Sequence, residues 1–312
     1  MRRTNKDRFS KGNPDLQVVW SPSSLEKFMI DPATYRLKKL LGWHRPEPNA
    51  AMIFGSLYHE AVEIYDVQRH QGRSKEDALY RALRYAYCEA MAQDLQLAAE
   101  LGKKQDRNKR TPWTLLRSIV WYAEDFGDDD DPLRMLTMPN GEPASEVEFM
   151  IPLDIKTPYG ENYVISGILD GIVDLDGNRL IRERKTTTGT VSKHFLKRYK
   201  LNPQISTYAL AGEVMGYGTE GVLVEVLQSG VNFSRITRSM IHRTASQNEE
   251  WLNDLQWWIK QAERCAETGR WPINQATQLV YGGNDFLEIL AKDPSVRENF
   301  LATDYTREDN DV

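Results

Sequence analysis

Apolar positions recur with two different periods along this chain, and the change of period divides it. The first part follows a helical spacing. Trp20-Ser-Pro-Ser-Ser24 opens a helix in which Ser23 or Ser24 serves as the cap and Glu26 stands in the first turn. Leu25, Phe28 and Met29 supply its apolar face, and Asp31-Pro32 ends it. Tyr35 to Leu41 reads as a second short helix with Arg36, Lys38 and Lys39 exposed, followed by a linker from Pro46 to Asn49. Met52, Leu57, Ala61 and Ile64 mark a helix from about Ala51 to Arg69, with His59 among them. Residues 74–100 form another helical run, and Trp113 to Ala123 a further one. A basic connector, Gly102 to Arg110, separates these last two, and an acidic stretch from Glu124 to Asp131 reads as a solvated loop.

The pattern then shortens to the period of strands. Glu146 to Ile155, Tyr163 to Leu175 and Arg179 to Thr186 alternate or run apolar. Asp176-Gly177 between the last two is a strong two-residue hairpin turn. A helix from Pro203 to about Met215, strands over Val222–Leu227 and Val231–Met240, and a long helix from Ser246 to Glu267 complete the regular part. Trp271-Pro272 opens an irregular region. No repeat and no clean domain linker stands out. The expected organisation is a flexible tail over 1–18, a single α/β domain over 19–305 and a second tail over 306–312. Within the domain, 19–140 is mainly helical, 141–245 is the sheet core, and 246–305 holds the C-terminal helix and an irregular closure.

Composition supports a substantial core: of 312 residues, 40% are hydrophobic and 27% charged, with eight Trp and fourteen Tyr. No apolar run is long enough to span a membrane, and no apolar signal segment follows the basic start, so a cytoplasmic protein is expected. Cys88 and Cys265 form no CxxC pair and read as reduced thiols. A net charge of -5 excludes a protein that coats nucleic acid through overall charge, but a local patch would suffice for phosphate contacts.

The candidate chemistry sits on the hairpin. With Asp176-Gly177 as the turn, Leu175 faces Asn178 and Asp170 faces Glu183, which brings two carboxylates to about 5 Å at Cβ. Lys185 projects from the same face as Glu183. A hard divalent cation would relieve the repulsion, and Lys185 could steer a water or neutralise charge on a phosphate. A surface network in which Lys185 offsets two acids is the plain alternative. Asp174 and Asp176 belong to the turn. Downstream, Asn202-Pro203 starts a helix that sets Gln204 and Tyr208 at i,i+4. Gln204 can orient a lysine or hold a phosphate, and Tyr208 can stack or donate a hydrogen bond. Lys193, Lys197, Arg198 and Lys200 make one basic stretch, and Lys103, Lys104, Arg107, Lys109 and Arg110 another. His59 could supply a nitrogen ligand or simply pack. Glu146 and Glu148 have smaller claims on the site. No P-loop is present, so nothing signals a built-in ATPase motor.

Taken in order, these pieces resemble the RecB-like branch of the PD-(D/E)xK nuclease superfamily, near the Cas4 and phage-exonuclease types. Ser23-Ser24-Leu25-xx-Phe28 with Pro32 and Tyr35 is similar to the opening motif, Gly55-xxx-His59 to the histidine motif, and Gly167-xx-Asp170 to the acidic motif. Glu183-Arg184-Lys185 matches (D/E)xK, and Gln204-xxx-Tyr208 the motif after it. The resemblance spans roughly residues 20–290. It implies a restriction-endonuclease-like α/β core, a mixed central sheet flanked by helices, with a helical N-terminal elaboration. It also implies hydrolysis of DNA phosphodiesters with Mg²⁺ or Mn²⁺. His59, Asp170 and Glu183 become metal ligands, and Lys185 the catalytic lysine, with Gln204 and Tyr208 at the active centre. An exonuclease in DNA recombination, repair or phage DNA processing follows, with a separate helicase or recombination protein as a possible partner and, for a phage protein, the host cytoplasm as its location. A non-catalytic nucleic-acid-binding or assembly module, a structure-specific endonuclease and an RNA nuclease are the alternatives. Many such proteins hold a [4Fe–4S] cluster with four cysteines. This chain has Asp31 where a cysteine would precede Pro32 and no cysteine in the Trp271 to Phe286 stretch, so no iron–sulfur cluster is expected and another interaction must close that region.

Overall fold

The structure is a computed structural model that describes residues 8–46, 49–102, 107–127, 131–217, 219–278 and 284–307. In chain order the elements begin with β1 (Val19–Trp20), α1 (Pro22–Ile30), α2 (Pro32–Tyr35), a π-helical turn (Arg36–Leu40) and β2 (Trp43–His44). The helices α3 (Ala50–His70), α4 (Lys75–Ala92), α5 (Leu95–Leu101) and α6 (Pro112–Phe126) follow. Next come β3 (Leu133–Met135), β4 (Ser145–Lys156), β5 (Asn162–Leu175), β6 (Asn178–Thr187), α7 (Lys193–Lys197), α8 (Pro203–Val214), β7 (Gly221–Ser229) and β8 (Ser234–His242). The chain continues through α9 (Ala245–Thr268), α10 (Leu287–Leu290), α11 (Arg297–Asp304) and β9 (Thr306–Arg307).

Seven strands form a mixed sheet with the path β1-β5-β6-β7-β8, and β3 and β4 also pair with β5. The β1–β5 and β6–β7 pairs are parallel; β3–β5, β5–β6 and β7–β8 are antiparallel. With helices flanking it, this is the restriction-endonuclease-like α/β architecture expected from the sequence. Every residue of β7 is buried, which is why that strand reads as an apolar run without alternation.

Backbone contacts group the chain into two compact units, each assembled from discontinuous segments. One contains residues 47–147 and 168–243. Its helical core packs α3 against α4 and α6. Ala78, Ala82, Ala86 and Ala90 recur at i,i+4 on α4 and are fully buried, so the helix axes approach closely, and Tyr58, Tyr65 and Tyr122 fill the remaining space. The helical run predicted over 74–100 is interrupted: Asp94 takes a left-handed backbone (φ 52°) between α4 and α5.

The other unit contains residues 1–46, 148–167 and 244–312. An aromatic cluster of Trp20, Phe28, Tyr35, Trp258 and Trp271 forms its centre. The cap of α1 is Ser21, not Ser23 or Ser24: Pro22 takes the first helical position, and Ser24 reciprocates with a hydroxyl bond from the Ser21 N–H. Flexibility was expected through residue 18, but from residue 8 the chain is packed. Phe9 bridges Gln17, Leu16 is buried, and Gln17 accepts from the Tyr35 hydroxyl at 2.6 Å. At the other end Arg307 pairs with Trp43, so the expected tail is ordered through residue 307. The rest of both predicted tails lies outside the described residues.

The same unit holds a polar network between the opening motif and the region after Trp271. The buried Asp31 carboxylate accepts from the Thr34 N–H at 3.1 Å and from the Gln278 side-chain amide. The Asn284 amide donates to Gln278 Oε1 at 2.8 Å and to the Thr34 hydroxyl. Asn274 and Thr277 donate to the Ile30 carbonyl at 3.0 and 2.9 Å. Polar side chains thus tie the opening motif to the region after Trp271.

Candidate active site

The first unit described contains the whole candidate site. Asp176 and Gly177 both have positive φ (53° and 87°), the geometry of a tight hairpin turn, and Asp174 Oδ1 accepts the Gly177 N–H at 2.9 Å. The predicted register holds from Leu175↔Asn178 to Gly171↔Arg182. At the next position the ladder gives way to a side chain: Asp170 Oδ2 accepts the Arg184 N–H at 2.7 Å. This bond fixes the Asp170 carboxylate beside Glu183.

Glu183 is buried and pairs with the Lys185 ammonium. Lys185 also donates to Gln204 Oε1 at 2.8 Å. Gln204 Nε2 donates to the Tyr208 hydroxyl at 2.9 Å, and that hydroxyl donates to the Ile168 carbonyl at 2.9 Å. The predicted start of α8 produces this alignment. Asn202 caps the N–H groups of Gln204 and Ile205, Pro203 occupies the first turn, and the i,i+4 spacing directs Gln204 and Tyr208 to one side. A continuous relay therefore runs from β5 through α8 to the lysine of β6.

His59 Nδ1 lies 3.7 Å from Asp170 Oδ2, beyond a direct hydrogen bond. Burial lowers its imidazole to about 4 despite Asp170, which leaves it neutral and able to offer a lone pair. Burial and then the Asp170 carboxylate push Glu183 up to about 8, against the pull of Lys185. Burial alone would lower the Lys185 ammonium, but Glu183 and Asp170 outweigh it and raise it. Glu183 Oε2 is buried and accepts no hydrogen bond. A buried carboxyl oxygen with no hydrogen-bond partner, beside a second carboxylate and a neutral imidazole, suits a hard divalent cation that would displace its proton. Among the described residues, however, no three His, Cys, Asp or Glu side chains already stand as a ligand cluster. The trio His59, Asp170 and Glu183 is thus close but not closed.

Two neighbours carry more weight than sequence gave them. Glu146 adopts a left-handed backbone (φ 47°), an uncommon conformation for glutamate, and burial, Glu63 and Asp170 raise its carboxyl to about 7. Glu63, on the same helix as His59, accepts from Ser145 at 2.8 Å and is raised by burial. Glu148 belongs to the other unit. The opposite face of β6 also escaped the sequence reading. Arg182 and Arg184 are buried and converge on Asp66, Arg182 at 2.8 Å, and Asp66 also accepts from the Tyr122 hydroxyl at 3.0 Å. Glu225 joins Arg184 (3.4 Å) and Arg238 (2.9 Å), and Arg238 reaches Asp131. The available signal was Asp66 seven residues after His59 on one helical face, opposite alternating arginines.

Of the basic residues, Lys193, Lys197, Arg198, Lys200 and Arg107 are exposed, whereas Lys109 and Arg110 are half-buried. Lys109 Nζ donates to the Thr188 carbonyl at 3.4 Å, which ties the connector to the end of the β6 segment. Lys103 and Lys104 lie outside the described residues.

The family model of the PD-(D/E)XK nuclease superfamily matches residues 19–278. No curated protein matches the chain. Among solved structures, a candidate exonuclease from Eubacterium rectale is similar at 13% identity and a TM-score of 0.45, covering 88% of this chain and 90% of its own. A protein designated SSO0001 is similar at 13% identity and a TM-score of 0.31, over 75% of this chain and 84% of its own. The family match spans most of the sequence and includes every residue of the Asp170–Glu183–Lys185 site: the chain belongs to the PD-(D/E)XK nuclease superfamily.

Proposed function

We propose that this nuclease is a divalent-metal-dependent deoxyribonuclease that acts as an exonuclease in DNA recombination, repair or phage DNA processing. The observation that carries the reading is the Lys185 ammonium fixed between the Glu183 carboxylate and Gln204 Oε1, beside Asp170. His59, Asp170 and Glu183 would hold Mg²⁺ or Mn²⁺, the type of cation this superfamily generally uses. Such an ion supplies Lewis-acid stabilisation of the phosphate and a nucleophile at neutral pH. Lys185 orients the attacking water and offsets the charge that develops on phosphorus-bound oxygen. Gln204 and Tyr208 hold Lys185 in place as positioning residues. Exposed Lys193, Lys197, Arg198 and Lys200, with Arg107, Lys109 and Arg110, hold the backbone of the strand without reading its bases. The preference for an end rests on the resemblance to phage exonucleases, as does a helicase or recombination partner, and action in the cytoplasm, or a host's, fits the same reading. Among the described residues no helix is long and apolar enough to cross a membrane.

The test is cleavage of end-labelled single- and double-stranded DNA with Mg²⁺, Mn²⁺ or EDTA, beside matched RNA and covalently closed circular DNA. Metal-dependent shortening from an end, absent in Lys185→Ala, is the expected result. DNA binding without cleavage under every metal would refute catalysis, and cutting of closed circles would refute the end requirement.

A further inference from the structure

Helices α4 and α6 leave a groove of about 490 Å³ on the surface of the nuclease unit, floored by Leu83 and Leu116 of the helical core. Its walls are large apolar side chains that the fold does not cover: Trp113 is 73% exposed, Tyr80 63% and Tyr87 54%. Contiguous exposed aromatics of this size mark a binding surface more often than a neutral one. The spacing is regular. Tyr80, Arg84 and Tyr87 share one face of α4 at i, i+4 and i+7, and Trp113 and Arg117 share one face of α6 at i,i+4. Both charged residues of the groove are arginines, which line it with their aliphatic stems, and no carboxylate lines it. Arg117 is held by the carbonyls of Val231 and Gly230 at 2.6 Å and Phe233 at 2.9 Å, which fix its guanidinium without neutralising it.

The groove is also connected to the candidate active site. Lys109 Nζ bonds the Thr188 carbonyl, three residues beyond Lys185. The Lys109 carbonyl accepts from Thr114 at 3.1 Å and from Ser229 at 2.6 Å, so the connector is pinned where it enters α6. Trp113 stands four residues after Lys109, within about 14 Å of extended chain. The connector that carries Arg107, Lys109 and Arg110 therefore runs from the segment after the Lys185 strand to the start of α6.

We propose that this groove is a stacking platform for unpaired nucleotides of a single-stranded nucleic acid whose backbone follows the 107–110 connector to Lys185. The inference rests on the nuclease reading and names the form of substrate that reading leaves open. Bases supply π-faces for Trp113, Tyr80 and Tyr87, and phosphates answer Arg84 and the connector; a duplex hides those faces in its stack. An apolar protein helix would fill the groove without using Arg84 or the connector.

The test is fluorescence anisotropy of a labelled oligothymidylate and of a hairpin duplex of equal length, with the full chain in EDTA so that binding is read apart from cleavage. Trp113→Ala is expected to weaken oligothymidylate binding by about fivefold to a hundredfold, as loss of one base–aromatic stack does. Trp113→Phe should restore most of it, and the duplex should change less than about twofold. Arg84→Gln should reduce the salt slope by about 0.7. Circular dichroism of each variant checks folding. Oligothymidylate binding unchanged in Trp113→Ala, no binding by the parent chain, or equal losses on the duplex would each overturn the proposal. Metal-dependent cleavage by the parent chain, measured separately, decides the nuclease reading: its failure leaves the anisotropy result standing, and a negative anisotropy result leaves cleavage standing.

Discussion

Replacing Gln204 by alanine probes the site where its geometry is most specific. Gln204 bridges Lys185 (2.8 Å) and Tyr208 (2.9 Å), while the ion pair with Glu183 remains when the amide is removed. Lys185 therefore keeps its charge and loses its direction. A hydrogen bond to a charged group contributes about 1.5–3 kcal/mol. If that bond is made fully only as charge develops on the phosphate, its loss lowers kcat by about 10- to 100-fold and leaves KM nearly unchanged. Tyr208→Phe removes a neutral bond to the Ile168 carbonyl, worth about 0.5–1.5 kcal/mol, and should cost about two- to tenfold. Because Tyr208 acts through the amide, the double variant should resemble Gln204→Ala alone and not the product of the two losses. Single-turnover and steady-state cleavage of end-labelled DNA with Mg²⁺ measures each value, and thermal melting confirms folding. A Gln204→Ala enzyme within about twofold of the parent in kcat, a loss confined to KM, or fully additive effects would refute the relay.

Asp66→Asn strips the shared partner from buried Arg182 and Arg184; breaking such a pair costs about 3–5 kcal/mol, and calorimetry should show Tm lower by about 6–20 °C. A change below about 3 °C would mean the arginines find other partners. Gly212→Ala would drive a Cβ to 2.7 Å from Ile181 Cδ1 and 2.3 Å from Thr219 Oγ1, where α8 crosses the sheet, and should cost about 1–3 kcal/mol in urea unfolding; an unchanged midpoint would show that the helix can shift. With Glu183 raised from 4.5 to about 8, the folded chain binds that proton more tightly than the unfolded chain, so metal-free stability falls as pH rises across that window. The Tm gain of Mg²⁺ over EDTA should therefore be larger near about pH 8 than near about pH 6, and equal gains would refute the account. His59, lowered from 6.5 to about 4, acts in the opposite sense: it withdraws stability as pH falls through that range, and His59→Gln should flatten the acid limb of a Tm–pH curve.

Much of the centre was legible because its information is local. A two-residue turn sets the register of a hairpin, and register decides which side chains meet; Asp176-Gly177 fixes it as far as Gly171↔Arg182, the pair next to Asp170 and Glu183. Asn202-Pro203 fixed the phase of α8 and with it the direction of Gln204 and Tyr208. Other features depend on contacts that sequence spacing does not encode. Arg182 and Arg184 carry no sign of burial in the sequence, since charged residues are seldom fully buried, and only the approach of Asp66 on α3 and Glu225 on β7 makes their burial tolerable. The Ser21 cap was missed because three serines compete within four positions, and Pro22 decides between them. Asp94 lies inside a run of good helix formers, so nothing in the periodicity announced a break. Glu146 was underrated because a left-handed backbone at glutamate has no signature in composition.

The hydrogen-bonded closure around Asp31, Gln278, Asn284 and Thr34 has a physiological corollary. A chain with two cysteines cannot supply four thiolates, and what joins these segments here carries no electrons to lose and no iron to surrender. Oxidants and chelators do not act on hydrogen bonds of this kind. Temperature and competition from water govern its integrity.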